Sequence, residues 1–241
     1  MNRKFNNIFC LIGVALSFFL WACDSGDIYP KDENYEKVYV SVSASFYFEG
    51  LNAFPEEYKI LFVTYANSSD TEPLTYKEIS KPNADGIISV SFPDIPEGTH
   101  GVGLWLVEKT GNKKMLSFYD NDFETTPTAN VVLPSRNINL LTYARLQKQL
   151  FSQCIACHGG GASAAAGLYL TEGQSYSHLV NVVAKNNSSK VRVLPGSASG
   201  SFLMDVLNGF ALTNIHSSLS SLKDEDVVLA KEWIEAGAKN E

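Results

Sequence analysis

The chain has 241 residues, 45% of them hydrophobic and 19% charged, a globular balance that excludes wholesale disorder and a multispanning membrane protein. Its net charge of −7 is unevenly placed: from Leu140 onward eight Lys/Arg balance eight Asp/Glu, so the whole excess, 18 acidic against 11 basic residues, falls in residues 1–139. A neutral C-terminal half has no basic stripe for nucleic acid and no strong field to steer a charged partner.

The N-terminus reads as an address. Arg3 and Lys4 precede an apolar run from Ile8 to Leu20, which suits the core of a signal peptide and is short for a membrane-spanning helix. The run ends Leu20-Trp21-Ala22-Cys23, which resembles a bacterial lipobox and implies Cys23 as the lipidated first residue of the mature protein. Residues 1–22 are therefore expected to be a lipoprotein signal peptide, removed together with Cys10. An uncleaved anchor is the alternative, and both place the mature chain outside the cytoplasm beside a membrane. Residues 23–36 are polar and rich in breakers, as a tether would be. The acidic stretch after Cys23 resembles the surface-export signal of some Gram-negative lipoproteins, so the periplasmic side and the cell surface both stay open.

Residues 37–135 show the period of strands with one buried face. The run Lys37 to Phe48 alternates apolar with small polar residues, and similar stretches recur at Tyr58–Ala66, Gly86–Phe92, Gly101–Glu108, Lys113–Tyr119 and Ala129–Leu133, with a weaker one at Leu74–Ile79. Turn-forming clusters separate them, and no cysteine pair is left to staple this region. The expectation is an all-β immunoglobulin-like sandwich of six or seven antiparallel strands. No catalytic constellation is found here. His100 is read as a turn residue, and Tyr47, Phe62, Phe92 and Trp105 as packing, with an aromatic glycan- or protein-binding face as the alternative.

After the break at Pro134-Ser135-Arg136-Asn137, apolar residues from Leu140 to Phe151 recur at helical spacing and lead into Cys154-Ile155-Ala156-Cys157-His158. This C-x-x-C-H pentapeptide is the attachment signature of c-type haem: two thiols on one edge can each add to a vinyl group, and the neighbouring imidazole can reach the iron. A zinc site would require further ligands at suitable spacing, and a thioredoxin-like dithiol a βαβ unit before Cys154; neither is present in the sequence. Ser221, Asp224 and Glu225 suit the start of a last helix, Gly237 its end, and Val227, Ala230, Trp233 and Ile234 an apolar face between them.

With Phe151-Ser152, Gly167-Leu168-Tyr169-Leu170, Arg192-Val193-Leu194-Pro195-Gly196, Ser201-Phe202-Leu203 and Trp233-Ile234-Glu235-Ala236-Gly237-Ala238, residues 138–241 resemble the class I cytochrome c domain of extracytoplasmic bacterial proteins. The resemblance implies an all-α cytochrome c fold, one covalently attached haem c held by Cys154 and Cys157, and His158 as the proximal iron ligand. It also implies a methionine ahead of the last helix, and there the chain departs: the position holds Ile215 and His216. His216 is the expected substitute, with Met204, His178 or a vacant position as alternatives. Bis-histidine ligation implies a lower reduction potential than histidine–methionine.

The functional expectation is a membrane-anchored monohaem cytochrome that passes single electrons between extracytoplasmic redox partner proteins. The alternative is a surface lipoprotein whose β-region binds a glycan or protein and carries the haem as a redox or sensor unit. A peroxidase ranks last, because no acid/base residue beside a vacant iron position is evident and there is a single C-x-x-C-H.

Overall fold

The computed structural model describes residues 38–160, 164–216, 219 and 222–241. The expected signal peptide, the expected lipidation residue Cys23, the expected tether and the expected capping residue Ser221 lie outside them. Among the described residues no helix is long and apolar enough to cross a membrane.

Eight strands build the first half: β1 (Val42–Glu49), β2 (Tyr58–Tyr65), β3 (Thr75–Ile79), β4 (Ile87–Phe92), β5 (Gly101–Glu108), β6 (Lys114–Asp122), β7 (Val131–Val132) and β8 (Arg136–Asn139). They form two four-stranded sheets. In the first, β1 is central, antiparallel to β4 on one side and parallel to β7 and then β8 on the other. Pro134, which has no N–H to give the ladder, separates β7 from β8. The second sheet, in the order β3-β2-β5-β6, is antiparallel throughout.

Alternation along β1 explains its burial. Val42, Ala44, Phe46 and Phe48 point inward, and Ser43, Ser45, Tyr47 and Glu49 outward. Ile60 and Phe62 of β2 and Val102, Leu104 and Leu106 of β5 meet them in one core, where Phe62 stacks on Phe92 with ring centres 5.0 Å apart. The other face of β2 and β5 is buried too, as a separate cluster of Leu61, Val63, Tyr65, Trp105 and Val107.

The immunoglobulin-like arrangement expected for this region is not shown. The final segment was read as a break, yet Arg136–Asn139 pairs in parallel with β1, so the sheets are not wholly antiparallel. The reason lies in chain direction: to deliver the next segment to the β1 C-terminal end, the chain must run alongside β1 in the same sense.

The all-α cytochrome c fold expected for residues 138–241 is also corrected. This half contains α1 (Tyr143–Gln149), α2 (Ile155–His158), α3 (Ser175–Leu179), α4 (Phe202–Leu207) and α5 (Asp224–Glu235), of which only α5, with 12 residues, exceeds two turns. Between α3 and α4 lies a small antiparallel ladder of β9 (Val183–Ala184) and β10 (Asn187–Val191). Short helices nucleate poorly and end wherever the chain demands left-handed backbone. Here such positions recur, at Ala166, Gly167, Gly173, Asn181, Gly196, Gly209 and Leu212. Pro195-Gly196 makes a turn that Gly196 N–H fastens to Ile234 O of α5 at 2.7 Å.

A second core collects Tyr143, Leu146, Leu150 and Phe151 with Leu229, Ala230, Trp233 and Ile234 of α5, and Tyr143 and Trp233 place their ring centres 5.3 Å apart. Ala53, from the turn after β1, sits in this core as well. Residues Tyr39–Glu241 accordingly pack as one unit. The junction is polar: fully buried Arg145 donates from Nη1 to Ala53 O at 2.6 Å and Leu140 O at 3.1 Å, and Glu225 Oε2 accepts from the backbone N–H of Glu56 and Glu57 at 2.6 and 2.7 Å.

Candidate haem-attachment site

The cysteines do not extend the preceding helix. After α1 the chain makes a single 3₁₀ turn over Phe151–Gln153, and the pentapeptide begins its own one-turn helix, with Cys154 at the N-cap. His158 N–H and Cys157 N–H both point back to Cys154 O, at 2.9 and 3.3 Å. One turn thus presents Cys154, Cys157 and His158 on adjoining positions of a single face. Neither thiol is in a disulfide; Cys157 is exposed and Cys154 half-buried.

The Cys154 thiol is pushed up to about 11, first by burial and then by Asp226 and Cys157. Reactive dithiols hold a thiolate by a depressed value, and burial moves Cys154 in the opposite direction. Asp226 is itself fully buried, accepting from Gln149 Nε2 and Gln153 Nε2 at 3.2 Å each, and burial raises its carboxyl above the ordinary value.

His158 is half-buried, and burial lowers its pKa, favouring the neutral ring. Its Nδ1 lies 3.3 Å from Leu168 O, and its own carbonyl accepts from Leu170 N–H at 2.7 Å. Opposite stands His216, in the loop between α4 and α5. Its Nδ1 lies 3.3 Å from Leu212 O, in a turn that Leu212 enters with φ of 58°. The two ring centres are 6.2 Å apart and the planes within 6° of parallel. A neutral imidazole that donates Nδ1–H to a carbonyl leaves the Nε2 lone pair free, the tautomer a metal requires.

The structure brings His216, and not its sequence alternatives, against His158. Met204 is packed into the second core, 6% exposed on α4. His178 lies with its ring centre 4.8 Å from that of Tyr169. His100 is exposed, and its backbone joins β2 and the end of β6 through Tyr65 O and Phe123 N–H.

The residues present fit an iron porphyrin. An imidazole–metal bond is about 2 Å and the donor nitrogen sits about 1 Å from its ring centre, so imidazoles on opposite sides of one metal put their centres about 6 Å apart. The 6.2 Å separation of the His158 and His216 ring centres matches that distance. Apolar side chains are unusually exposed in the same segments: Phe210 at 82% and Ile215 at 67% on the approach to His216, and Ile155 at 45% between the cysteines.

Sequence reasoning missed the carbonyls of Leu168 and Leu212 that orient the rings, because backbone acceptors carry no residue-type signal. Ile215 left a fainter one, as an apolar residue flanked by Thr213, Asn214 and His216. No family model matches this chain, and no curated protein or solved structure matches it either.

Proposed function

We propose that the protein is a monohaem c-type electron carrier, tethered by lipid at Cys23 outside the cytoplasm, exchanging single electrons with redox partner proteins. The observation that carries this reading is the near-parallel His158–His216 pair at 6.2 Å, beside two free thiols, with both Nδ1 atoms facing backbone carbonyls.

Cys154 and Cys157 would attach the cofactor by adding each S–H across a vinyl double bond, sulfur to one carbon and hydrogen to the other, with no atom lost. His158 and His216 would hold the iron through Nε2. The bound haem iron supplies one-electron exchange. Leu168 O and Leu212 O, each 3.3 Å from Nδ1, would hold the rings in place and so limit reorganisation when the charge changes. An imidazole in place of a thioether favours the ferric state and gives a low potential.

Expression with haem-maturation machinery tests the reading by the absorption spectrum of the reduced protein and by haem that survives denaturation. His216→Ala is expected to convert a six-coordinate low-spin spectrum into a high-spin one while covalent haem is retained. A wild-type preparation without covalent haem would refute the proposal, and an unchanged low-spin spectrum in the variant would remove His216 from the iron.

A further inference from the structure

Arg192 lies in the turn that follows β10 and is 9% exposed. All three of its side-chain hydrogen bonds go to backbone carbonyls. Nη1 donates to His178 O at 2.7 Å and Gly167 O at 3.3 Å, and Nη2 to Ala166 O at 2.9 Å. Burying a guanidinium without a carboxylate is costly, so the carbonyls it gathers are bound firmly.

The segment it gathers is strained. Ala166 and Gly167 are consecutive left-handed residues, with φ of 56° and 62°. A left-handed alanine costs roughly 1–2 kcal/mol and persists only where its surroundings hold it. The next residue is Leu168, whose carbonyl faces His158 Nδ1, and Leu170 N–H then grips the His158 carbonyl. Arg192 is fixed in turn: its N–H donates to Val182 O at 2.6 Å and its carbonyl accepts from Leu203 N–H of α4 at 2.9 Å.

We propose that Arg192 is a positioning residue for His158: by clamping the Ala166 and Gly167 carbonyls it places Leu168 O, which sets the tautomer and rotation of the imidazole. The inference rests on the haem reading for its functional meaning and on this hydrogen-bond relay for its geometry. Lysine keeps the charge but is a point donor that cannot span the carbonyls of Ala166, Gly167 and His178 together. Charge and clamp are therefore separable.

The test uses the full, haem-loaded chain, with haem content read separately from ligand geometry. Near-parallel imidazole planes give one rhombic low-spin ferric signal in electron paramagnetic resonance, and rotation of one ring shifts the highest g value upward. Arg192→Lys and Arg192→Ala are expected to retain covalent haem and to lose the single rhombic signal, replaced by a shifted or split one. A signal identical to wild type in Arg192→Lys would overturn the proposal even with a lowered melting temperature, since a purely structural role predicts that combination. If Arg192→Ala does not fold, the lysine variant decides. If the wild type itself carries no haem, the functional reading falls, and the clamp is judged in that preparation by the ring nitrogen shifts of His158. A dominant Nδ1–H tautomer that becomes mixed in Arg192→Lys supports it, and no difference between the two overturns it.

Discussion

Asp226 shows how one residue can serve two neighbourhoods. It is buried against Gln149 and Gln153, immediately upstream of the cysteines, and it raises the Cys154 thiol. Burial raises its own pKa above 3.8, opposed by the two glutamine donors and helped by Glu225. For a carboxyl raised in the folded state, the unfolded chain loses its proton first, so stability is full below the ordinary value and falls as pH rises toward the folded one. Asp226→Asn removes that dependence while keeping an acceptor for the glutamines. Thermal melts from pH 7 down to pH 4 should show the wild type gaining stability relative to the variant; parallel curves would contradict the assignment. The same logic of position governs the histidines. The absence of a methionine ahead of the last helix points to His216, with Met204 and His178 as lesser alternatives, and the fold buries the first of these in the core and sets the second beside Tyr169.

The strands were legible because a half-buried strand writes its period into the chain. Gly101–Glu108 was read at the bounds observed, and Tyr58–Tyr65 to within a residue. Gly101 belongs to β5 because a Cβ there would stand 2.3 Å from the Tyr65 ring. Gly101→Ala should therefore destabilise the fold by about 1–3 kcal/mol, the usual range for forcing extra atoms into a packed core, as a chemical denaturation midpoint would register. The helices were less legible. Apolar residues at helical spacing run from Leu140 to Phe151, yet the α-helix spans only Tyr143–Gln149, capped by the Thr142 side chain accepting from Arg145 N–H at 3.2 Å. Spacing reports which side is buried; it does not report where a 3₁₀ turn takes over. Gly237 did mark its helix end, with φ of 102° and Ala238 N–H returning to Trp233 O at 2.9 Å.

The two cores of the molecule are joined by a buried polar network rather than by a linker. Arg145 reaches Ala53 O, Gln149 accepts from Arg145 and donates to Glu225 and Asp226, and Glu225 holds the backbone of Glu56 and Glu57. Burial lowers the Arg145 pKa to about 10 against the pull of Glu225 and Asp226. Removing one member strands the others, so Arg145→Ala should cost roughly 3–5 kcal/mol. Because the network spans both cores, calorimetry of the wild type should give one transition covering them; two resolved transitions would show that they unfold independently. None of this coupling could be read along the chain, since Ala53 and Arg145 are 92 positions apart. What the sequence determined by itself was local: strand alternation, and two thiols with an adjacent histidine on one turn. The parallel pairing of β8 with β1 and the approach of His216 to His158 were decided by tertiary structure, because each depends on groups that meet only when distant segments fold together.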